Sequence, residues 1–456
     1  MKQKMILRYA AGIALFAGGA WFKHFEYVYP AVLCFLALII GEGTLIFYEN
    51  RNILDLRLLL TISWLTGILL AALNLSSRQS PWSTSMWLSC GGFYFLFLAG
   101  YDLNAGLHRK RDTASAQEKK ELSPVCLKRI KQAIYIVMLL GVSSVLTEAI
   151  KFKFAFPIFV TDKPHAYTEF HITGLHYFVV SLMFVHALSM IYLLKKKPGK
   201  KEKRELLLLN LIAFSVPVLL LSKFQIMICF AIPIVVFVLA QERFSARQLT
   251  TGIVVSAVIV IGIGIVMILG RHYPEGYLEE IFAFRDPSVP MSVQYPYMYI
   301  VNNLENLNLL TIRLEKYSFG IRQLYPAFAL TGLKFVPAVQ QFMWKPVYLT
   351  VEELTTLSVI YDAYGDFGLA GVFLFGLLTG AISAGITRMT QKHGGVLGVL
   401  LYAQFAVYMT LSFFTTWFSN PTTWFWLIAS FCIALYCTIP EGKFRIDLKE
   451  ITEEFK

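Results

Sequence analysis

Four cations in this chain occupy positions where a cation is informative. Arg271 closes a strongly apolar run, Thr250 to Gly270, and Lys223 stands between two apolar runs in LLLSKFQIM. Arg285 and Arg322 follow in an aromatic-rich stretch from Arg271 to Thr356. A guanidinium grips phosphate oxygens as a two-pronged fork, and an ammonium acts as a point charge. Cations at the ends of apolar runs suit a ligand that is anionic and tethered to a lipid. Arg271 and Arg285 are therefore candidate catalytic residues, and Lys223 and Arg322 candidate substrate cations. The competing reading is ordinary ion pairing with Glu275, Glu279, Glu280, Asp286, Glu305, Glu315, Glu352 or Glu353, which contributes little at a surface.

The tract YPYMYIVNNLENLNLL adds alternating Tyr295, Tyr297 and Tyr299, then Asn302, Asn303 and Asn306. Aromatic rings cover the C–H faces of sugars, and amides satisfy hydroxyls as donor and acceptor. Tyr299 and the three asparagines are candidate sugar contacts; a structural helix with tyrosines in the interfacial aromatic belt is the alternative. Further on, VEELTTLSVIYDAYGDFGLAGVFLFG places Asp362 and Asp366 four apart, on one face if a helix has begun there. Gly365 and Gly368 would let that helix pack closely or bend. Asp366 and Asp286 are candidate acceptors for the proton of a sugar hydroxyl, against a structural role in capping or packing. In FPIFVTDKPHAYTEFHITGLHYFVV the spacing of His165, His171 and His176 matches no metal motif, so no metal is expected. Lys163, His165 and His176 are taken as substrate-side candidates. Glu42 lies within an apolar run, near one end, where a buried partner would also explain it.

Elements able to hold these residues follow from composition. The 456 residues are 56% hydrophobic and 15% charged, with mean hydropathy +0.59, where soluble domains carry about 25% charge. The chain is expected to be an all-α, multi-pass membrane protein forming a single membrane domain over 1–456. Runs of the length that crosses a bilayer fall near 5–22, 29–48, 57–75, 86–104, 132–150, 175–194, 206–221, 225–240, 249–270, 366–387, 396–416 and 421–439, about twelve in all. The start resembles a signal peptide but is read as an uncleaved first span, because further spans follow at once. Dense basic loops, Leu107–Lys131 and KKKPGKKEKR at 195–204, are assigned to the cytoplasmic side. Both termini then lie inside, with 28 of the 41 Lys and Arg residues, and 13 lie outside. Outside too are a smaller loop, 151–174, and the large segment 271–356 between the ninth and tenth spans. Its aromatic and leucine content predicts amphipathic or re-entrant helices rather than a sheet domain. The net charge of +12 is concentrated in short loops, which argues for topology anchors attracted to lipid head groups and against nucleic acid. No phosphate-cradling Gly-rich motif and no zinc-type cysteine spacing occur.

With these residues in view, PIF…GLHYF, the hairpin cation of LLLSKFQIM, the tract YMYIVNNLENL and the DFGLAG entry to a late span resemble the Wzy-type oligosaccharide repeat-unit polymerases of bacterial surface polysaccharides. The resemblance covers roughly Lys151 to Gly380. Two departures stand out. Tyr167 or His165 occupies the place of an Arg common in the family's smaller loop, and Glu352–Glu353–Leu354–Thr355 replaces an Asn-x-x-Thr, so acceptor contacts are expected to differ. The resemblance implies a metal-independent glycosyltransferase of C-type membrane architecture, with no cofactor, in the bacterial cytoplasmic membrane. It implies a growing glycan on undecaprenyl pyrophosphate as donor, a repeat unit on the same carrier as acceptor, and a flippase and a chain-length regulator as possible partners. An O-antigen ligase-like enzyme and a transporter such as a flippase are the alternatives.

Overall fold

The computed structural model describes residues 2–112, 122–160, 169–240, 276–343 and 345–439. The helices in order are α1 (Lys2–His24), α2 (Val28–Asn50), α3 (Leu56–Leu73), α4 (Thr84–Asp112), α5 (Pro124–Lys151), α6 (His176–Lys196), α7 (Lys200–Leu219), α8 (Lys223–Leu239), α9 (Tyr277–Phe282), α10 (Met291–Arg313), α11 (Ile321–Leu330), α12 (Pro337–Gln340), α13 (Tyr361–His393), α14 (Val396–Thr410) and α15 (Pro421–Thr438). Among the described residues there is no strand, only an isolated antiparallel bridge between Ser76 and Phe284. Six of these helices, α2, α3, α5, α6, α13 and α15, are long and apolar enough to cross a membrane. The helices α8 and α14 are apolar but shorter. The span expected near 249–270 lies outside the described residues.

Helix starts follow local chemistry. Ser123 caps α5 through the amide of Cys126, with Pro124 as the first helical residue; Asn420 and Pro421 do the same for α15 through Thr422. Asp55 caps α3 through the amide of Arg57.

Cross-links sort the helix ends into two groups. At one end, Arg57 bonds Asp55, Glu49 and Asp102, and Tyr402 of α14 donates to the carbonyl of Leu54. Lys131 meets Glu205 at the same end, where the basic sequences lie. Glu42 has its buried partner there: Arg8 stands 2.7 Å away. At the other end, the amide of Val359 donates to the carbonyl of Ser412, and Arg285 reaches the carbonyl of Asn74. All of the candidate site residues that the structure describes lie at this second end.

Two helices meet closely enough to fix the frame. Gly92 and Gly100 of α4 face α13, and Gly376 and Gly380 of α13, a G-x-x-x-G pair, face α4. A Cβ on Gly380 would stand 2.0 Å from the carbonyl oxygen of Phe97, and one on Gly100 2.1 Å from that of Leu377. Small residues let the backbones approach, and packing then replaces the hydrophobic drive that lipid removes.

The stretch expected as an outer segment does not simply lie over the bundle. Helix α10 packs on α3, α4 and α13, and every residue from Val301 to Asn308 is buried. Its middle is enclosed on all sides although it carries Asn302, Asn303, Glu305, Asn306 and Asn308, while both ends of the helix are exposed. Most of its buried amide groups donate to backbone carbonyls, as buried polar groups require.

Candidate functional site

Lys223 opens α8, and its side chain runs to α10. Its ammonium donates to the hydroxyls of Tyr295 at 2.8 Å and Tyr299 at 2.7 Å. The two tyrosines lie four apart, hence on one face of α10, and their rings stack with centroids 4.6 Å apart. The ammonium also stands 4.5 Å from the Tyr299 centroid and 5.4 Å from that of Tyr295. The ammonium thus lies at the hydroxyl ends of both rings, partly shielded from water. The next residue, Phe224, packs on Trp417 and Phe414, and Tyr299 stacks on Phe414. One cation is thus set into an aromatic wall built from three elements.

Two residues beyond Trp417, the hydroxyl of Ser419 donates to Asp362 and leads to a second charged cluster. Arg322 is 1% exposed at its centre. Its Nη1 stands 3.5 Å from Asp362, its Nε donates to Ser318 and its Nη2 to the carbonyl of Pro346. Asp366, fully buried, accepts from the amides of Arg322 and Gln323 and from the Ser318 hydroxyl. It therefore caps the first turn of α11 from another helix, where a negative charge is favoured. The geometry depends on two glycines. A Cβ on Gly365 would stand 2.5 Å from Nε of Arg322, and Gly368, at φ 59°, breaks α13 just beyond Asp366. The four-residue spacing does put both carboxylates on one face, as the sequence suggests, and Arg322 is what they face. Nearby, Lys345 sits 3.6 Å over the ring of Tyr325; burial pushes its ammonium below its ordinary value, against the pull of Asp362.

His176 forms a third group. Its Nδ1 lies 3.1 Å from both carboxylate oxygens of Glu148, which is buried and also accepts from the amide of Ile172. The buried acid fixes the imidazole, whose side chain remains 30% exposed.

The other candidates divide plainly. Arg271, Lys163 and His165 lie outside the described residues. Arg285 is exposed, and its Nε donates to the carbonyl of Asn74 rather than to its neighbour Asp286. Asp286 accepts from the amide and hydroxyl of Ser288, which hold its carboxyl below the usual carboxylate range. Asn302 and Asn306 are buried and donate to the carbonyl of Leu354, so they tie down the loop before α13; Asn303 donates to the carbonyl of Tyr299. The Oδ1 atoms of Asn302 and Asn303 have no hydrogen-bond partner among the described residues. Among the described residues no group of three or more His, Cys, Asp or Glu is placed to hold a metal.

Sequence reasoning passed over Glu148, an acid at the end of an apolar run, which is itself a signal. It weighed Glu305 only as a surface pairing partner. Glu305 is buried on α10, accepting from the indole of Trp82 at 2.7 Å and the amide of Ser80 at 3.1 Å, and burial pushes it up to about 7. No protein-family model matches this chain, and no curated protein or solved structure matches it either.

Proposed function

We propose that this chain is a membrane glycosyltransferase that polymerises undecaprenyl-pyrophosphate-linked oligosaccharide repeat units into a surface polysaccharide. The observation that carries this reading is the ammonium of Lys223 at the hydroxyls of the stacked Tyr295 and Tyr299. A fixed cation suits a pyrophosphate, and adjoining aromatic faces suit the sugar attached to it. In this reading the chain crosses the bacterial cytoplasmic membrane about twelve times, with both termini cytoplasmic. Segments 151–174 and 271–356 then lie outside. A flippase would supply its substrate and a chain-length regulator would act beside it.

The reaction joins an acceptor hydroxyl oxygen to the anomeric carbon of the donor. The bond from that carbon to the pyrophosphate oxygen breaks and its electron pair leaves with the lipid. The hydroxyl proton passes to a base. Lys223, Arg271 and Arg285 stabilise the charge on the leaving oxygen. His176 takes the proton, because Glu148 orients its Nδ1 and leaves Nε2 for the acceptor. Asp286 stands by as a second exposed acid, whereas Asp366 has three donors on it already. Arg322, enclosed by Asp362 and Asp366, positions α11 beneath the site. Tyr299 offers its ring, and Asn302, Asn303 and Asn306 hold the wall behind it.

Reconstitution tests this. Protein in liposomes with undecaprenyl-pyrophosphate-linked repeat units should yield products spaced by one repeat unit, with free undecaprenyl pyrophosphate and no added metal. Transfer of intact lipid-linked units between leaflets, without longer products, would establish the transporter reading instead.

A further inference from the structure

At the basic end of the bundle, far along the helices from the tyrosines of α10, a cavity of about 440 Å³ opens between α5, α6 and α7. Three ammonium groups line it, those of Lys128, Lys131 and Lys196, with Tyr135 and Tyr192. One carboxylate, Glu202, also lines it and is shared: it lies 2.9 Å from Lys196 and 3.8 Å from Lys131. Glu205 takes the remaining attraction of Lys131 at 2.9 Å. Lys128 is exposed and adds a further positive charge to the wall. Arg129, on the same turn, does not contribute, because it turns to the carbonyls of Tyr436 and Ile439.

The surroundings say what kind of anion belongs here. One turn beyond Tyr135 on α5, Leu139 is exposed, and one turn beyond Glu205 on α7, Leu208 is exposed. An anion alone would have no use for those apolar faces. A phospholipid would use both, with its head group among the ammonium groups and its chains along the leucines, while the tyrosines sit at the boundary.

We infer that the cavity between α5, α6 and α7 is a binding site for one anionic phospholipid, recognised through its phosphate by Lys128, Lys131 and Lys196. This does not depend on the proposed enzyme activity. It is a specific site rather than general attraction of basic loops to a charged surface.

Native mass spectrometry of the full chain in mixed micelles of phosphatidylglycerol and phosphatidylcholine tests it. One retained phosphatidylglycerol is expected on the unaltered protein. Lys128→Gln with Lys196→Gln should weaken its retention roughly tenfold or more. Lys128→Gln alone, at an exposed side chain, should give a smaller loss in the same direction. Lys201→Gln, the same change of charge on α7 but away from the cavity, should leave retention unchanged. Equal loss from Lys201→Gln, or no loss from the cavity variants, overturns the site. Displacement of the lipid by millimolar inorganic phosphate also overturns it, since the cavity would then hold a free anion.

Discussion

The ammonium of Lys223 lies 2.7 Å from the hydroxyl of Tyr299, and the same ring's centroid is 4.5 Å away. The hydroxyl is therefore the tyrosine's direct contact with the cation, and the ring carries that hydroxyl in place by stacking on Tyr295. The two parts of that contact separate by mutation. Tyr299→Phe keeps the ring, loses the hydroxyl and should lower the activity; Tyr299→Ala removes both and should lose more, in a polymerisation assay at matched protein level. Equal losses from the two variants would place the whole effect on the hydroxyl.

Arg322 is expected to behave differently from Lys223. It is fully buried, and Asp362 would be left buried without its guanidinium, whereas Asp366 keeps the backbone amide of residue 322. Removing one partner from such a cluster typically costs about 3–5 kcal/mol. Arg322→Ala should lower the thermal midpoint in detergent strongly, and Lys223→Ala should move it little. A stable but inactive Arg322→Ala protein would instead make Arg322 a substrate contact.

The seam between α4 and α13 predicts a sharp contrast within one helix. Gly380 faces the carbonyl of Phe97, whereas a Cβ on Gly385 meets nothing within 4 Å. Gly380→Ala should destabilise by at least about 1–3 kcal/mol, the usual cost of overpacking. Gly385→Ala should be neutral. Melting curves of the two variants decide it.

What could be read from the sequence, and what could not, follows from the range of the interactions. The bend at Gly368 and the shared face of Asp362 and Asp366 depend on neighbours within a turn, so local spacing exposes them. Their partner Arg322 lies forty positions earlier, and no local pattern announces it. The asparagines of α10 carry the right chemistry for sugars, but an amide suits a backbone carbonyl equally well. Only the packing shows that Asn302 and Asn306 face Leu354. An all-helical frame was legible from apolar runs alone. Their number was less so: six described helices pass on length and apolar content, α8 and α14 are apolar but shorter, and α1, α4 and α7 do not pass.

Glu305 predicts a dependence on pH. Burial raises it from 4.5 to about 7, so the folded chain holds this proton more tightly than the unfolded chain. The resulting stability is complete below pH 4.5 and is lost as the pH rises through 7. The difference amounts to about 3 kcal/mol. Glu305→Gln should flatten the thermal midpoint across this range, and an unchanged slope would assign the titration to another group.

On the proposed function, the cation at the start of α8 serves a pyrophosphate-linked sugar. Its most direct measurement is the polymer-length ladder made by Lys223→Ala, in liposomes carrying lipid-linked repeat units, at the same amount of folded protein. Loss of a charge-assisted contact that strengthens in the transition state predicts a fall in rate on the order of 10²–10³, leaving single repeat units unextended. A ladder of normal length and rate from Lys223→Ala would rule out this role for the cation.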